Sequence, residues 1–190
     1  LFTPLTTASY EPGASSYDAV VSGVKSLIDR YDFIDKDRIA LNGHSWGGYQ
    51  IAFLVTRTNM FKAAVSGAPV VNMTSAYGGI RWESGKSRMF QYEQTQSRIG
   101  GTLWDKPAEF IRNSPLFFLP QVQTPVLIMH NDKDGSVMWE QGIEFFMALR
   151  RLDKPVWLFN YKGEGHHLKK WENRLDYSRR VMEFYDYYLK

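Results

Sequence analysis

The segment 41–49, LNGHSWGGY, contains the residues whose types and spacing indicate chemistry most clearly. A short apolar run precedes a Gly-x-Ser-x-Gly pattern, and a helical pattern follows it. A serine that attacks a carbonyl carbon must project from a sharp turn between a strand and a helix, and this order provides one. Gly43 and Gly47 lack the Cβ atoms that would collide in such a turn. The pattern predicts Ser45 as a nucleophile, with a structural turn serine as the alternative.

Two later loops could supply the rest of a catalytic triad. A serine nucleophile needs a histidine to take its proton and a carboxylate to orient that histidine. The loop 131–137 contains Asp132 and Asp134, and the loop 162–168 contains His166 and His167. Each loop follows an apolar run typical of a buried strand, so both are expected at the same edge of a parallel sheet as Ser45. The residues alone leave both carboxylates and both histidines open, and turn or capping roles are the alternative.

The elements expected around these loops alternate between strands and helices. Apolar patterning predicts strands at 38–41, 61–66, 125–130 and 155–161, and helices at 15–31, 46–58, 106–112, 137–152 and 168–189. The weakly periodic stretch 70–98 is expected to form loops and short helices over the site. This alternation predicts an α/β fold with a mostly parallel sheet flanked by helices. The chain order of serine, acid and histidine is that of an α/β-hydrolase, and the length predicts one domain over 1–190.

Composition excludes several classes of function. The 190 residues include no Cys, which rules out disulfides and thiolate metal sites. The net charge is +3 and the 23 basic residues are spread along the chain, so nucleic-acid binding is not expected. No apolar run reaches the length of a membrane span. Adjacent ligands such as His166 and His167 point in different directions and no third residue has ligand spacing, so neither a metal nor another cofactor is expected.

Four segments resemble the prolyl oligopeptidase family of serine peptidases. They are GHSWGGY at 43–49, APV at 68–70, LIMHNDKDGSV at 127–137 and YKGEGH at 161–166. The resemblance extends over essentially the whole chain. It implies a dipeptidyl-peptidase-like or acylaminoacyl-peptidase-like domain with the α/β-hydrolase fold.

The resemblance also implies roles for individual residues. It makes Asp134 the acid, because the family's acid stands three residues before a valine. It makes His166 the base and the backbone N–H of Trp46 an oxyanion donor. The substrate-binding residues that it implies are Val70, Met73 and Val137. The segment 71–77 differs from the aromatic pocket of proline-cleaving members, so specificity for proline is not implied.

The chain also departs from the family's pattern. Family members carry a β-propeller ahead of the hydrolase domain, and no propeller fits in this chain. The first strands of the domain and a second oxyanion donor, a tyrosine, are expected upstream of the residues present, and a first residue of Leu1 fits an excised piece. Strand 38–41 is therefore expected to be an open edge that pairs with another copy or with more of the same polypeptide. The isolated chain is expected to turn over substrate weakly or not at all.

The predicted function is hydrolysis of peptide bonds, in short peptides, through an acyl-enzyme with Ser45, Asp134 and His166 as the triad. The expected partner is therefore a peptide substrate. A carboxylesterase with the same triad is the first alternative. The second is a catalytically silent hydrolase fragment that acts as an interaction module.

Overall fold

A computed structural model describes residues 10–190, and its strands and helices alternate along the chain. The elements are α1 (Pro12–Arg30), β1 (Ala40–His44), α2 (Trp46–Leu54), β2 (Ala63–Gly67), α3 (Met73–Tyr77), β3 (Ile80–Arg81), β4 (Lys86–Ser87), α4 (Met89–Glu93), α5 (Pro107–Arg112), a 3-10 helix (Pro115–Gln121), β5 (Val126–Met129), α6 (Glu140–Arg151), β6 (Val156–Phe159) and α7 (Trp171–Leu189). Within 10–190 no helix has both the length and the apolar character to cross a membrane. The predicted domain also includes residues 1–9, of which Leu1 is the first, and these residues lie outside the described part.

Four strands form one parallel sheet in the order β1-β2-β5-β6. The register aligns Gly43 with Ser66, Ser66 with Ile128, and Ile128 with Leu158. Because all four strands run in the same direction, their carboxyl ends meet at one edge of the sheet. The loops after β1, β5 and β6 all begin at that edge. The predicted α/β fold, a parallel sheet flanked by helices, is confirmed.

Helices cover both faces of this sheet. Val126 and Ile128 of β5 lie in a buried cluster with Phe145 of α6. Leu127, the residue between them, lies in a second cluster with Phe184 of α7. Because successive strand residues point to opposite faces, the unbroken apolar run of β5 reflects burial on both sides, as is typical of parallel sheets.

Most predicted bounds differ from the structure by a few residues; α2, for example, ends at Leu54 and not at Thr58. Two of the differences have identifiable reasons. β1 extends to His44 rather than ending at Leu41, because its pairing with β2 continues as far as His44 opposite Gly67. α7 begins at Trp171, later than predicted. The preceding residues form a bend in which the Glu164 carboxylate, and not a helical carbonyl, accepts two backbone N–H groups.

The region 70–98 contains short helices, as expected, and also the two-stranded antiparallel hairpin β3–β4, which was not predicted. The hairpin contacts the loop 131–137. The backbone N–H of Glu83 donates to the Gly135 carbonyl at 3.3 Å, and the Glu83 carboxylate accepts a hydrogen bond from Ser136 Oγ at 2.7 Å. One side of the loop that contains Asp134 is thus held by this hairpin.

Candidate active site

Ser45 lies in a strained turn between β1 and α2. Its φ of 60° and ψ of −117° are values that residues other than glycine rarely adopt. The Ser45 N–H donates to the Gly67 carbonyl at 2.8 Å, which ties the turn to β2. A Cβ at Gly43 would lie 2.7 Å from the Gly47 carbonyl oxygen, and a Cβ at Gly48 would overlap the Gly67 carbonyl. A Cβ at Gly47 would meet nothing within 4 Å, so the second close approach is at Gly48 and the expectation for Gly47 is wrong.

The loops after β1, β5 and β6 bring three side chains into one hydrogen-bonded chain. His166 Nε2 lies 2.9 Å from Ser45 Oγ, and His166 Nδ1 lies 2.8 Å from Asp134 Oδ2. An imidazole with its proton assigned to Nδ1 donates to Asp134 and accepts from the Ser45 hydroxyl. Such a histidine can act as a general base toward that hydroxyl.

Asp134 is held in its ionised form. Its Oδ1 accepts the backbone N–H groups of Ser136 and Val137, each at 2.8 Å, and its Oδ2 lies 3.3 Å from His130 Nε2. Burial alone raises the pKa of the Asp134 carboxyl. Hydrogen bonds from His130, His166 and the Val137 N–H outweigh burial and hold that pKa well below its ordinary value. An ionised carboxylate here can fix the His166 tautomer and stabilise a positive charge on the ring.

Asp132 and His167, the other two candidates, lie outside this hydrogen-bonded chain. Asp132 is only half-buried, and its Oδ1 accepts the backbone N–H of Gly163 at 2.7 Å. His167 is exposed and packs its ring against that of His166, with centroids 4.8 Å apart. Of the pairs that the residues left open, the structure therefore places His166 beside Ser45 and Asp134 beside His166.

The backbone N–H of Trp46 lies at the beginning of α2. Trp46 is the first residue of that helix, and the first N–H groups of a helix have no carbonyl partner within it. Partial positive charge accumulates at the same end of the helix. This N–H directly follows Ser45 and can donate to an oxygen that becomes negative during attack.

Val70, Met73 and Val137, the three residues expected to bind substrate, are buried in the structure. None is more than 5% exposed. They belong to a cluster that also contains Tyr49 and Phe110. Packing between α2, α3 and α5 is the role that the structure gives them, and their contact with a substrate stays a prediction.

Asn131 links the two loops that contain Asp134 and His166, a role that the sequence analysis missed. Its Nδ2 donates to the Gly165 carbonyl at 2.8 Å, and its Oδ1 accepts the Tyr161 N–H at 3.0 Å. Asn131 is 1% exposed. Its position directly after a predicted strand could have indicated a role in the site. Polar residues that follow parallel strands lie at the carboxyl edge of the sheet, where binding sites form.

Glu164 anchors the loop 162–168 to α7. Its carboxylate accepts the N–H groups of Lys169 and Lys170, each at 2.9 Å, and the side-chain amide of Asn173 at 2.7 Å. The hydrogen bonds from Lys169, Asn173 and Lys170 lower the pKa of the Glu164 carboxyl. Glu164 therefore holds the loop that contains His166, although its sequence position also fits a solvated loop carboxylate.

His44 joins His166 and His167 in a cluster of three imidazoles. Its ring centroid lies 4.8 Å from that of His166 and 4.7 Å from that of His167. Burial and the neighbouring charges of His166 and His167 lower the pKa of His44 to about 4. The imidazole of His44 thus lies beside the adjacent pair His166 and His167. The expectation from the sequence that no third residue stands at ligand spacing from this pair is therefore wrong.

These observations define a class of protein, an α/β-hydrolase with a serine–histidine–aspartate arrangement at the carboxyl edge of its sheet. The acylaminoacyl peptidase of Pyrococcus horikoshii shares the fold, with a TM-score of 0.82 over 95% of this chain and 29% of that one, at 21% sequence identity. The sequence model of the prolyl oligopeptidase family matches residues 6–190. The chain belongs to that family.

Two curated relatives match most of this chain but little of their own length. The "Uncharacterized peptidase YuxL" of Bacillus subtilis is 31% identical over 162 residues, which is 83% of this chain and 23% of that protein. The acylamino-acid-releasing enzyme of Rattus norvegicus is 29% identical over 147 residues, 76% of this chain and 20% of that protein. The chain thus spans about a fifth of the length of these relatives.

Proposed function

We propose that this chain contains the catalytic residues of a serine peptidase that hydrolyses peptide bonds through an acyl-enzyme. The hydrogen-bonded chain of Ser45, His166 and Asp134 is the observation that supports the proposal most strongly. Its members come from three separate loops. A turn serine without chemistry needs no buried, hydrogen-bonded histidine and carboxylate beside it.

In the proposed mechanism Ser45 Oγ attacks the carbonyl carbon of the scissile bond while His166 Nε2 takes its proton. That proton then passes from His166 to the leaving amine, and the acyl group stays on Ser45 as an ester. A water molecule deprotonated by His166 hydrolyses the ester and restores the serine. Asp134 holds the Nδ1 proton of His166 and stabilises the imidazolium.

The backbone N–H of Trp46 is the proposed oxyanion donor of this chain. Negative charge develops on the carbonyl oxygen as the tetrahedral intermediate forms, and a preorganised N–H stabilises that charge. Loss of one such donor typically lowers kcat by about 10²–10³. We expect a second donor to be required for full activity.

Short peptides are the proposed substrate class, and N-acylated peptides its first member to test. The family to which the chain belongs and the name of the rat relative, an acylamino-acid-releasing enzyme, support this choice. A carboxylic ester would be cleaved by the same three side chains, so the triad itself does not discriminate between the two bonds.

A comparison of two chromogenic substrates tests the proposal. The kcat/KM of the protein is measured for an N-acetylated aminoacyl p-nitroanilide and for p-nitrophenyl acetate, with Ser45→Ala and the exposed control Ser84→Ala alongside. We expect weak turnover of the anilide, because a second oxyanion donor is required for full activity, with a loss of at least about 10³-fold in Ser45→Ala and no comparable loss in Ser84→Ala. Anilide turnover that survives in Ser45→Ala would contradict the proposal. Turnover of the ester alone would favour a carboxylesterase, and no turnover of either by the folded protein would favour a silent module.

A further inference from the structure

We propose that His44, His166 and His167 form a binding site for a divalent transition metal, Zn²⁺ first among them, and that metal binding there switches off the proposed hydrolysis. Each of the three side chains offers one ring nitrogen, and these nitrogens lie within 4.8 Å of one another. Three neutral imidazoles suit Zn²⁺, Cu²⁺ or Ni²⁺, whereas Mg²⁺ and Ca²⁺ prefer oxygen ligands.

The spacing of the nitrogens is close to what a zinc ion requires. With Zn–N bonds of about 2.1 Å and tetrahedral angles, ligand nitrogens stand about 3.4 Å apart. Nitrogens at their limit of 4.8 Å would therefore need to approach by about 1.4 Å to reach this spacing. The His167 ring already packs against the other two, and because His167 is exposed its position can adjust toward them.

Two of the three ligands are already arranged for coordination. His44 Nε2 is buried and has no hydrogen-bond partner among the described residues. His166 donates its Nδ1 proton to Asp134, which directs the Nε2 lone pair away from the carboxylate. Histidines that bind zinc commonly donate their other ring N–H to a carboxylate in this way.

A cavity of about 420 Å³ opens beside the cluster and provides a path for an ion from solvent. His44 and His167 line it together with Leu168, Arg174 and Tyr177. The Arg174 guanidinium, which lines the same cavity, donates from Nε to the Leu168 carbonyl at 2.8 Å. A fourth ligand, water or Ser45 Oγ, would complete a tetrahedral shell.

Metal binding would remove the base on which the proposed mechanism depends. The Nε2 lone pair of His166 forms the Zn–N bond, and the hydrogen bond from Ser45 to that nitrogen is lost. His166 can then no longer take the Ser45 proton. This inhibitory consequence rests on the proposed function, whereas metal binding itself does not.

Calorimetric titration of the protein with ZnCl₂ tests the binding site directly. His167→Gln removes one ligand from an exposed position, and Lys169→Gln is the matched control in the same exposed segment. We expect His167→Gln to weaken Zn²⁺ binding at least about tenfold and Lys169→Gln to leave the Kd unchanged. Equal Kd values for wild type and His167→Gln, or no binding by wild type at about 100 μM Zn²⁺, would overturn the proposal.

Labelling with a fluorophosphonate separates this proposal from the proposed function. Zn²⁺ is expected to suppress labelling of wild type, EDTA to restore it, and His167→Gln to require at least about tenfold more Zn²⁺ for the same suppression. A protein that is not labelled even without metal would refute the proposed function, while the calorimetric comparison would still decide the metal site. Wild-type labelling that persists with saturating Zn²⁺ would refute the inhibitory role.

Discussion

The two carboxylates of the loop 131–137 differ in what surrounds them. Asp134 is buried, and both of its oxygens accept hydrogen bonds, from backbone N–H groups on one side and from His166 on the other. Asp132 is only half-buried and accepts one backbone N–H, from Gly163. Residue type is the same at both positions, so it is the surroundings that decide which carboxylate can orient a histidine.

Asp134→Asn is expected to lower kcat for a peptide substrate by about 10⁴. An amide nitrogen in place of Oδ2 would present a donor to the Nδ1 proton of His166 and favour the wrong tautomer. Steady-state kinetics measure the effect, with Asp132→Asn as the matched control, since its remaining carbonyl oxygen can still accept the Gly163 N–H. The control is expected to stay close to wild type. Full activity in Asp134→Asn would show that the acid lies elsewhere.

Contacts between loops, rather than single side chains, set the relative position of Asp134 and His166. Asn131 joins the two loops through hydrogen bonds to Gly165 and Tyr161. Both partners are backbone groups of half-buried residues, and a backbone group shielded from water that loses its partner costs free energy.

Asn131→Ala is therefore expected to lower the free energy of unfolding by about 1–3 kcal/mol and to lower kcat/KM as well. Asn160→Ala is the control, because Asn160 is exposed and, within 10–190, its side chain accepts a single hydrogen bond, from the N–H of Asp132. Urea unfolding and steady-state kinetics measure the two effects. Equal behaviour of the two variants in both measurements would mean that Asn131 does not join the loops.

The turn between β1 and α2 requires glycine at position 48 but not at position 47. A Cβ at Gly48 would overlap the backbone of Gly67, whereas a Cβ at Gly47 has open space. Gly48→Ala is expected to destabilise the fold by about 1–3 kcal/mol. Gly47→Ala is expected to keep or raise stability, since alanine is favoured over glycine in a helix by about 1 kcal/mol. Thermal unfolding of the two variants is the measurement, and the reverse order would contradict this account of the turn.

Features local in the sequence predicted the fold and the elbow well. The Gly-x-Ser-x-Gly pattern and the apolar runs of β2, β5 and β6 are each contained in a few consecutive residues, so their interpretation needs no tertiary contact. The ends of elements were less accurate, because pairing partners decide them, as Gly67 does for β1.

Contacts between distant segments could not be predicted. His44 and His166 are far apart in the sequence, and nothing in the spacing of histidines reveals that β1 and the loop after β6 bring their rings together. Asn131 and Gly165 meet across 34 residues. Such contacts follow from strand order, which the apolar pattern does not specify.

Within the described residues, β1 and β6 are the two edge strands of the four-stranded sheet. Outer N–H and C=O groups of β1 have no strand partner within 10–190, and unpaired strand edges favour association. A cavity of about 520 Å³ lies beside α1, lined mainly by small and apolar residues such as Val20, Val24 and Leu27. Leu27 is 48% exposed.

For a polypeptide of these 190 residues we therefore predict self-association. Sedimentation velocity is expected to show species heavier than the 22.0 kDa monomer, and Leu27→Lys is expected to reduce their fraction because it places a charge on the apolar face of α1. The exposed variant Lys25→Arg, on the same helix, serves as the control. A monomer at all concentrations tested would show that neither the β1 edge nor the apolar face of α1 mediates self-association.

The central claim for the molecule is that His166 and Asp134 activate Ser45 as a nucleophile. Its most direct test is the mass of the protein and of its proteolytic peptides after reaction with a fluorophosphonate, which esterifies activated serines. We expect one adduct, located on Ser45, that is absent in Ser45→Ala and forms far more slowly in His166→Gln. An adduct on another serine, equal rates in wild type and His166→Gln, or no adduct on the folded protein would contradict it.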